Sequence, residues 1–194
     1  MTYPQINRTK AHLYLAFAMK AYNTFVISPE HSMYVLGVRG YYLDSKGKPG
    51  ANDRNIYDDA IVVCSPAVTA AFNANCDPSA WRKGVASLRP GIHFYKPGNH
   101  GITRPGGGYP AFRPATRNEE LPVDRDGVPD PAPGVAINIH KGAKNSTSSL
   151  GCQTIYPEQW DSFYALVMGE LKRAGMKHFP YVLVDEVAFR KEGK

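Results

Sequence analysis

The sequence lacks any apolar run close to the ~18 consecutive residues that a membrane-spanning helix requires. Its N-terminal apolar stretch, Leu13–Met19, is too short for a span and is followed by Lys20. The N-terminus also lacks the cationic start, continuous apolar core and small-residue cleavage site of a secretory signal. We therefore expect a protein that is made in the cytoplasm and does not insert stably into a membrane.

Cysteine is scarce as well, since Cys64, Cys76 and Cys152 form an odd and widely spaced set. Such a set is not a disulfide framework, and no HExxH or similarly compact zinc-ligand spacing is present. Cys64 ends the apolar run Ile61–Cys64 and is predicted to lie in the core, whereas Cys76 is predicted to be a loop thiol without an assigned role. We predict a protein without a cofactor.

Acidic residues are fewer than basic ones, 17 Asp and Glu against 23 Lys and Arg, which gives a formal net charge of +6. This excess favours contact with anionic polymers, among them cell-wall polymers, lipopolysaccharide and nucleic acid. The basic residues are dispersed, however, and no nucleic-acid motif or basic stripe interleaved with aromatic residues is present. We therefore expect no nucleic-acid partner.

No internal repeat divides the chain, and 194 residues with 43% hydrophobic content fit one globular domain. Residues 1–194 are therefore predicted to form a single domain of mixed α/β, mostly β, structure with peripheral helices near both ends. The predicted helices are Lys10–Asn23, within an N-terminal helical segment 1–32, Pro66–Phe72 and Pro157–Ala174. The predicted strands are Tyr34–Val38, Tyr41–Leu43, Ala60–Cys64, Gly91–Lys96 and Tyr181–Val184.

Residues 97–134 differ in composition from the rest of the chain. They hold half of the 16 prolines and seven of the 18 glycines, and apolar periodicity is almost absent. A long loop of this kind in a compact domain is typical of a functional or mobile segment. We interpret it either as a flap or substrate-binding excursion, with a short strand near Tyr109–Phe112, or as an ordered but irregular surface segment.

The segment from Ile137 to Ile155 carries the strongest indication of chemistry. A strand-like run delivers His140, a loop of small and polar residues follows, and Ser149-Leu150-Gly151-Cys152 leads into a second strand. A nucleophilic cysteine needs a nearby base and backbone N–H groups directed at the developing oxyanion, and a glycine lets the backbone approach a substrate closely. The alternative interpretation is a buried cysteine after a turn and an unrelated surface histidine.

The sequence HKG…SSLGCQT resembles the His–loop–Ser-x-Gly-Cys signature of the L,D-transpeptidase (YkuD-like) catalytic domain, which implies a β-sandwich or barrel. The resemblance implies that Cys152 is the nucleophile, that His140 is the base, and that the backbone carbonyl of Lys141 orients His140. It also implies that Ser149 and Gly151 shape the turn of the oxyanion hole. The chain departs from the family pattern at Leu150, where a second histidine is usual, and at Gln153-Thr154.

Upstream segments, among them AFNANCDPS and GVASLRPGIHFYKPGNH, are similar to phage and prophage lysis-associated proteins that carry this domain. The resemblance implies an endolysin-like cysteine peptidase that cleaves a stem-peptide or cross-link amide of bacterial peptidoglycan through a Cys thioester. It also implies that the protein stays in the host cytoplasm until a holin opens the membrane, and then acts at the cell wall. Transpeptidation or amino-acid exchange on the same stems is the alternative outcome of this chemistry.

Four further polar residues are candidates for substrate binding: His100, Tyr95, Ser148 and Gln153. His93, beside an apolar residue on a predicted strand, is expected to be structural. Asp58 and Asp59 cannot act as a glycosidase pair, because adjacent strand residues point to opposite faces.

Two other function classes remain open at this point. A zinc peptidase or amidase would use His93, His100, His140 and Cys152, since zinc accepts imidazole and thiolate ligands. A non-catalytic wall-binding or virion module would keep the fold without the chemistry, and Leu150 with the altered residues after Cys152 favours it.

Overall fold

The computed structural model describes residues 2–22, 26–28, 32–103 and 105–192, which contain three α-helices, thirteen strands and one 3-10 turn, Arg117–Glu119. The helices are α1 (Arg8–Tyr22), α2 (Trp160–Ala174) and α3 (Glu186–Glu192). The first strands are β1 (Tyr34–Arg39), β2 (Asp59–Cys64), β3 (Thr69–Asn75), β4 (Ala86–Leu88), β5 (Gly91–His100) and β6 (Tyr109–Pro114). The others are β7 (Glu120–Leu121), β8 (Val123–Arg125), β9 (Val128–Pro129), β10 (Gly134–Val135), β11 (Ile139–Lys141), β12 (Gln153–Ile155) and β13 (Phe179–Asp185).

Eight of these strands form a closed barrel in the order β1-β13-β5-β6-β11-β12-β3-β2. Two neighbouring pairs are parallel, β1 with β13 and β11 with β12, and the other pairs are antiparallel. The remaining strands form two small sheets, β4-β8-β9 and β10-β7. The fold is therefore mixed α/β and mostly β, as the sequence predicts.

The barrel wall is buried on both faces along β1, which explains its nearly continuous apolar sequence. Alternate side chains point to opposite sides of a strand, so Val35 belongs to one apolar cluster and Leu36 to another. The first cluster combines barrel residues such as Phe112 with Phe163 of α2. The second cluster contains Leu15 of α1, so this helix covers one outer face of the barrel.

The long strands and the two predicted terminal helices lie close to their predicted positions. The N-terminal helix was predicted over Lys10–Asn23 and begins at Arg8, and Asn23 lies outside the described residues. The helix predicted from Pro157 begins at Trp160 and ends at a left-handed Gly175. No helix in the described parts of the chain has the length and apolar character needed to cross a bilayer.

Two local predictions are wrong. Tyr41–Leu43 forms turns rather than a strand, because Gly40 takes a positive φ of 72° and Tyr42 N–H bonds across to Asp58 O. Pro66–Phe72 is not a helix, because a turn in which Ser65 N–H donates to Val68 O returns the chain into β3, antiparallel to β2. Partner strands thus override the local apolar pattern.

Residues 97–134 are more regular than their composition indicates. β5 continues through Pro97 to His100 and pairs with β6, and the four short strands from β7 to β10 follow. The exposed described residues between β5 and β6 form only a short connection, so a long structureless loop is not observed. Cys76, predicted to be a loop thiol, is completely buried beside the Tyr181 hydroxyl.

Candidate active site

The parallel pair β11–β12 brings the predicted nucleophile and base together. β11 carries His140, the chain then leaves the barrel, and it returns through Cys152 into β12, where Thr154 lies opposite His140 in the register. A parallel pair requires such an excursion between its strands. The parallel pairing therefore requires the loop between His140 and Cys152, and residues of this loop also line the site.

The His140 side chain is buried, and contacts to its Nδ1 atom fix the orientation of the ring. This nitrogen lies 2.8 Å from the Lys141 carbonyl oxygen and 3.0 Å from the Tyr109 hydroxyl, which donates to the same carbonyl at 3.3 Å. With Nδ1–H donating to the Lys141 carbonyl, the imidazole exposes Nε2 as an acceptor. The Lys141 carbonyl is therefore in contact with the imidazole that it is predicted to orient.

His100, at the end of β5, stacks on His140 with ring centroids 3.9 Å apart and an angle of 22° between the rings. One ring nitrogen of each histidine and the Cys152 Sγ all lie within 4.8 Å of one another. Asn138 contacts His100 Nδ1 through its side-chain Nδ2 at 3.1 Å. The structure thus brings together the thiol, the predicted base and the predicted substrate-binding His100.

The Cys152 thiol is half-buried, and its surroundings favour the neutral thiol over the thiolate. Burial raises the pKa of the thiol to about 11, although the Asn138 N–H, 3.4 Å from Sγ, partly offsets this effect. The thiol also donates to the Ala136 carbonyl at 3.8 Å. Desolvation of the thiolate is the largest contribution to this upward shift of the Cys152 pKa.

The Ser149–Cys152 turn is shaped by the Ser149 hydroxyl, which accepts the Gly151 N–H at 3.0 Å and donates to the Cys152 carbonyl at 2.7 Å. Gly151 has a φ of 131°, and a Cβ there would lie 2.6 Å from the Ala86 carbonyl oxygen. Only glycine fits this position. The Gly151 N–H is used inside this turn, so the Cys152 N–H is the candidate donor to an oxyanion.

Ser79 fixes the active-site loop from outside, and the sequence did not point to it. Its N–H donates to the Ser149 carbonyl at 2.9 Å, and its hydroxyl accepts the Ser149 N–H at 2.7 Å and contacts the Thr147 hydroxyl at 2.6 Å. Tyr109 and Asn138 were missed as well. Asn138 carried a local signal, because it lies two residues before His140 and therefore on the same strand face.

A pocket of about 510 Å³ opens onto this group and includes His100, His140 and Cys152 in its wall. Its other lining residues are Ser79, Val135, Ala136, Ile137, Ser146, Ser148, Ser149 and Leu150. None of these lining residues is an Asp, Glu, Lys or Arg, and the two large apolar side chains at the opening, Val135 and Leu150, are 62% and 72% exposed. The surface next to the thiol is therefore uncharged when the histidines are neutral.

Two predicted substrate-binding residues lie in the core instead. Tyr95 is fully buried, and its hydroxyl donates to the Ile137 carbonyl at 2.8 Å. Gln153 is also fully buried, with Nε2 bonded to the Gly151 carbonyl and Oε1 accepting the Tyr181 hydroxyl. Both side chains lie behind the site, whereas Ser148, the other residue of this motif predicted to bind substrate, lines the pocket.

His93 lies apart from the thiol and lines a different pocket. It is buried, its Nε2 contacts the Arg89 carbonyl at 2.9 Å, and burial lowers its pKa to about 4. The four-residue zinc site considered above is therefore incomplete. Asp58 and Asp59 are buried and accept backbone N–H groups, which agrees with the rejection of a glycosidase pair.

Comparisons with protein-family models, with curated proteins and with solved structures found no match to this chain.

Proposed function

We propose that the protein is a cysteine peptidase that cleaves an amide bond in the stem peptides or cross-links of bacterial peptidoglycan. The observation that carries the proposal is the convergence of the Cys152 thiol with the His140 imidazole, within 4.8 Å, in the wall of an open pocket. The Lys141 carbonyl holds the imidazole in the tautomer that a general base requires. Together these groups form a nucleophile, a base and an orienting group.

The proposed reaction begins when His140 Nε2 removes the thiol proton as Cys152 Sγ attacks the substrate carbonyl carbon. The new S–C bond gives a tetrahedral oxyanion, which the Cys152 N–H stabilises. The C–N bond then breaks, and the His140 imidazolium returns its proton to the leaving amine. Water, deprotonated by His140, hydrolyses the thioester and restores the thiol.

The raised pKa of Cys152 bears on how the thiol is activated. A thiol with a pKa of about 11 is almost fully protonated at neutral pH, so proton transfer accompanies attack rather than preceding it. We expect iodoacetamide to alkylate Cys152 more slowly at pH 7 than it alkylates free cysteine. Alkylation faster than free cysteine would instead support a preformed thiolate–imidazolium pair.

The YkuD-like fold is part of the proposal, and so is the lysis setting. Support for the fold comes from the motif and from its position, with His140 and the Ser149–Cys152 turn on neighbouring parallel strands of a barrel. Support for a peptidoglycan substrate comes from the resemblance and from the net charge of +6, which favours an anionic wall. Release from the host cytoplasm through a holin belongs to the same proposal. The resemblance to phage lysis proteins also favours hydrolysis of the thioester over its transfer to a second amine.

Mass spectrometry of Gram-negative muropeptides tests the proposal directly. Wild-type protein is expected to remove a defined fragment or cross-link, and Cys152→Ala is expected to leave the same muropeptides intact. Cys64→Ala is the matched control, because it removes a buried thiol outside the pocket. Full activity in Cys152→Ala would refute the thiol mechanism, and new masses from amino-acid exchange would identify a transpeptidase.

A further inference from the structure

The group His100, His140 and Cys152 has the composition of a site for a thiophilic divalent cation. We infer that these three side chains bind one Zn²⁺ ion, and that the bound ion reversibly blocks the thiol. The binding is independent of the proposed function, whereas the inhibition rests on it. Two imidazoles and one thiolate are ligands that zinc prefers over the oxygen-seeking cations calcium and magnesium.

The distances suit this ion after small side-chain movements. Zn–N and Zn–S bonds of roughly 2.0–2.3 Å in a tetrahedron place the ligand atoms ~3.3–3.8 Å apart. The three ligand atoms already lie within 4.8 Å of one another. Closing the site therefore requires the ligand atoms to approach one another by at most ~1.0–1.5 Å, a distance that side-chain rotation can supply.

The groups behind the two histidines match those that support zinc ligands elsewhere. A zinc-bound histidine usually donates its other ring N–H to a carbonyl or carboxylate, and His140 Nδ1 is already placed on the Lys141 carbonyl. Behind His100 lies Asn138, whose buried Oδ1 has no hydrogen-bond partner among the described residues. A half-turn of this amide places Oδ1 against His100 Nδ1, and Nε2 of that ring then presents a lone pair.

The bound form lacks the usual base of a zinc peptidase. Such enzymes commonly place a glutamate beside the metal-bound water, and no Asp or Glu lines the described pocket. When the Zn–S bond forms, the Cys152 proton is lost to solvent, and the sulfur is no longer a free nucleophile. The fourth position of the tetrahedron is left for water, and a chelator that removes the ion restores the thiol.

Titration of the metal-free full chain with Co²⁺ tests the site without reference to activity. A tetrahedral Co²⁺ ion bound to thiolate gives visible d–d bands and a near-ultraviolet sulfur-to-metal charge-transfer band. We expect one equivalent per chain in the wild type, displaced by ZnCl₂. Loss of a supporting residue in a metal site weakens binding about 10–100-fold, so Asn138→Ala should fall in this range and Cys152→Ala and His100→Ala should exceed it.

Cys64→Ala and His178→Ala are matched controls, because they remove a cysteine and an exposed histidine outside the pocket. Both should bind Co²⁺ as the wild type does. Equal binding by wild type and Cys152→Ala, or no saturable binding by the wild type, would overturn the inference. Circular dichroism of each variant separates loss of binding from loss of fold.

Zinc titration during muropeptide digestion distinguishes failure of this inference from failure of the proposed function. Activity that is lost with one equivalent of ZnCl₂ and regained with EDTA supports both. Stoichiometric Co²⁺ binding by a protein inactive on muropeptides would overturn the proposed function alone. Activity that persists at saturating zinc, or that rises with it, would overturn the inhibitory site.

Discussion

The barrel has two unlike sides. On one side β1 pairs with β13 and with β2 over five residues each, and β2 pairs with β3 over six. On the other side β11 and β12 have three residues each, and β11 pairs with β6 only at Ile139 and Phe112. The candidate active site lies on the side where the backbone ladder is shortest.

The two sides also differ in what holds them. The wall around β1 and β2 is buried and almost entirely apolar, so its stability comes from removing hydrocarbon from water. The β11–β12 side buries polar groups, including Asn138, His140 and Ser149, each of which needs a hydrogen-bond partner to offset its desolvation. One side therefore specifies the barrel, while the other has less regular strand pairing and a more precise arrangement of polar side chains.

The largest expected effect is on stability, from a cavity on the apolar side. Ile61→Ala removes a fully buried side chain from the barrel core and should lower the free energy of unfolding by about 2–5 kcal/mol. Muropeptide activity per folded molecule should stay near that of the wild type. Urea unfolding and activity at matched folded fractions test this, and a parallel loss of activity would show that the two sides are coupled.

The next effect should fall on the active-site side. In Gly151→Ala the new Cβ would meet the Ala86 carbonyl at 2.6 Å, at a φ that L-residues rarely adopt. We expect about 1–3 kcal/mol of strain and roughly 100-fold lower kcat/KM, since the thiol and its N–H are displaced. Gly50→Ala is the matched control, because Gly50 also has a positive φ but its new methyl group would have no atom within 4 Å. Equal kcat/KM losses in both variants would contradict this explanation.

The stability of the protein should also depend on pH through the buried Asp58, which immediately precedes β2. Burial raises its pKa to about 6, above the ordinary value for aspartate, so the folded state binds the proton more tightly than the unfolded state. Its stabilising contribution is therefore complete below about pH 4 and is lost as the pH rises through about 6. Asp58→Asn keeps an acceptor for the Asp53 N–H. Its free energy of unfolding, relative to that of the wild type, should rise by on the order of 1–3 kcal/mol between pH 4 and 7. Parallel thermal-unfolding profiles for the two proteins would contradict the assignment.

The smallest effect should come from the outer support of the loop. Ser79→Ala removes the acceptor of the Ser149 N–H and the partner of the Thr147 hydroxyl. We expect the free energy of unfolding to fall by about 1–2 kcal/mol and kcat to fall several-fold. Ser45→Ala, at an exposed position, is the control. Amide hydrogen exchange should rise in the loop before Cys152 and not in β1; faster exchange in β1 would contradict the independence of the two sides.

The apolar side of the barrel was largely predictable from sequence. The runs around Val35, Ile61 and Val182 contain β-branched residues at lengths typical of buried strands, and each forms a strand. Local sequence was less informative for two other segments with apolar residues, Tyr41–Leu43 and Pro66–Phe72, which do not form the predicted strand and helix. Their conformation depends on the turns at Gly40 and Ser65 and on the partner strand, which a local window does not contain.

The candidate site was predictable mainly along one segment, and His100 is the predicted residue that reaches the site from outside it. His140, Lys141 and Cys152 lie within a single motif, and the structure places all three at the site. Ser79 and Tyr109 come from distant segments, and no periodicity connects them with the motif. The raised pKa of Cys152 depends on burial by the completed barrel, so a short sequence motif could not indicate it.

The parallel pairing of β1 with β13 has a consequence for synthesis on the ribosome. In the barrel, β13 lies between β1 and β5 and pairs with both. It is also the last barrel strand in the sequence, so residues 179–185 leave the ribosome after every other strand of the barrel. Until then the nascent chain holds two long strands with unpaired edges, and such edges join readily to other chains. Translation that stalls before Phe179 should therefore yield aggregates rather than a partly active protein.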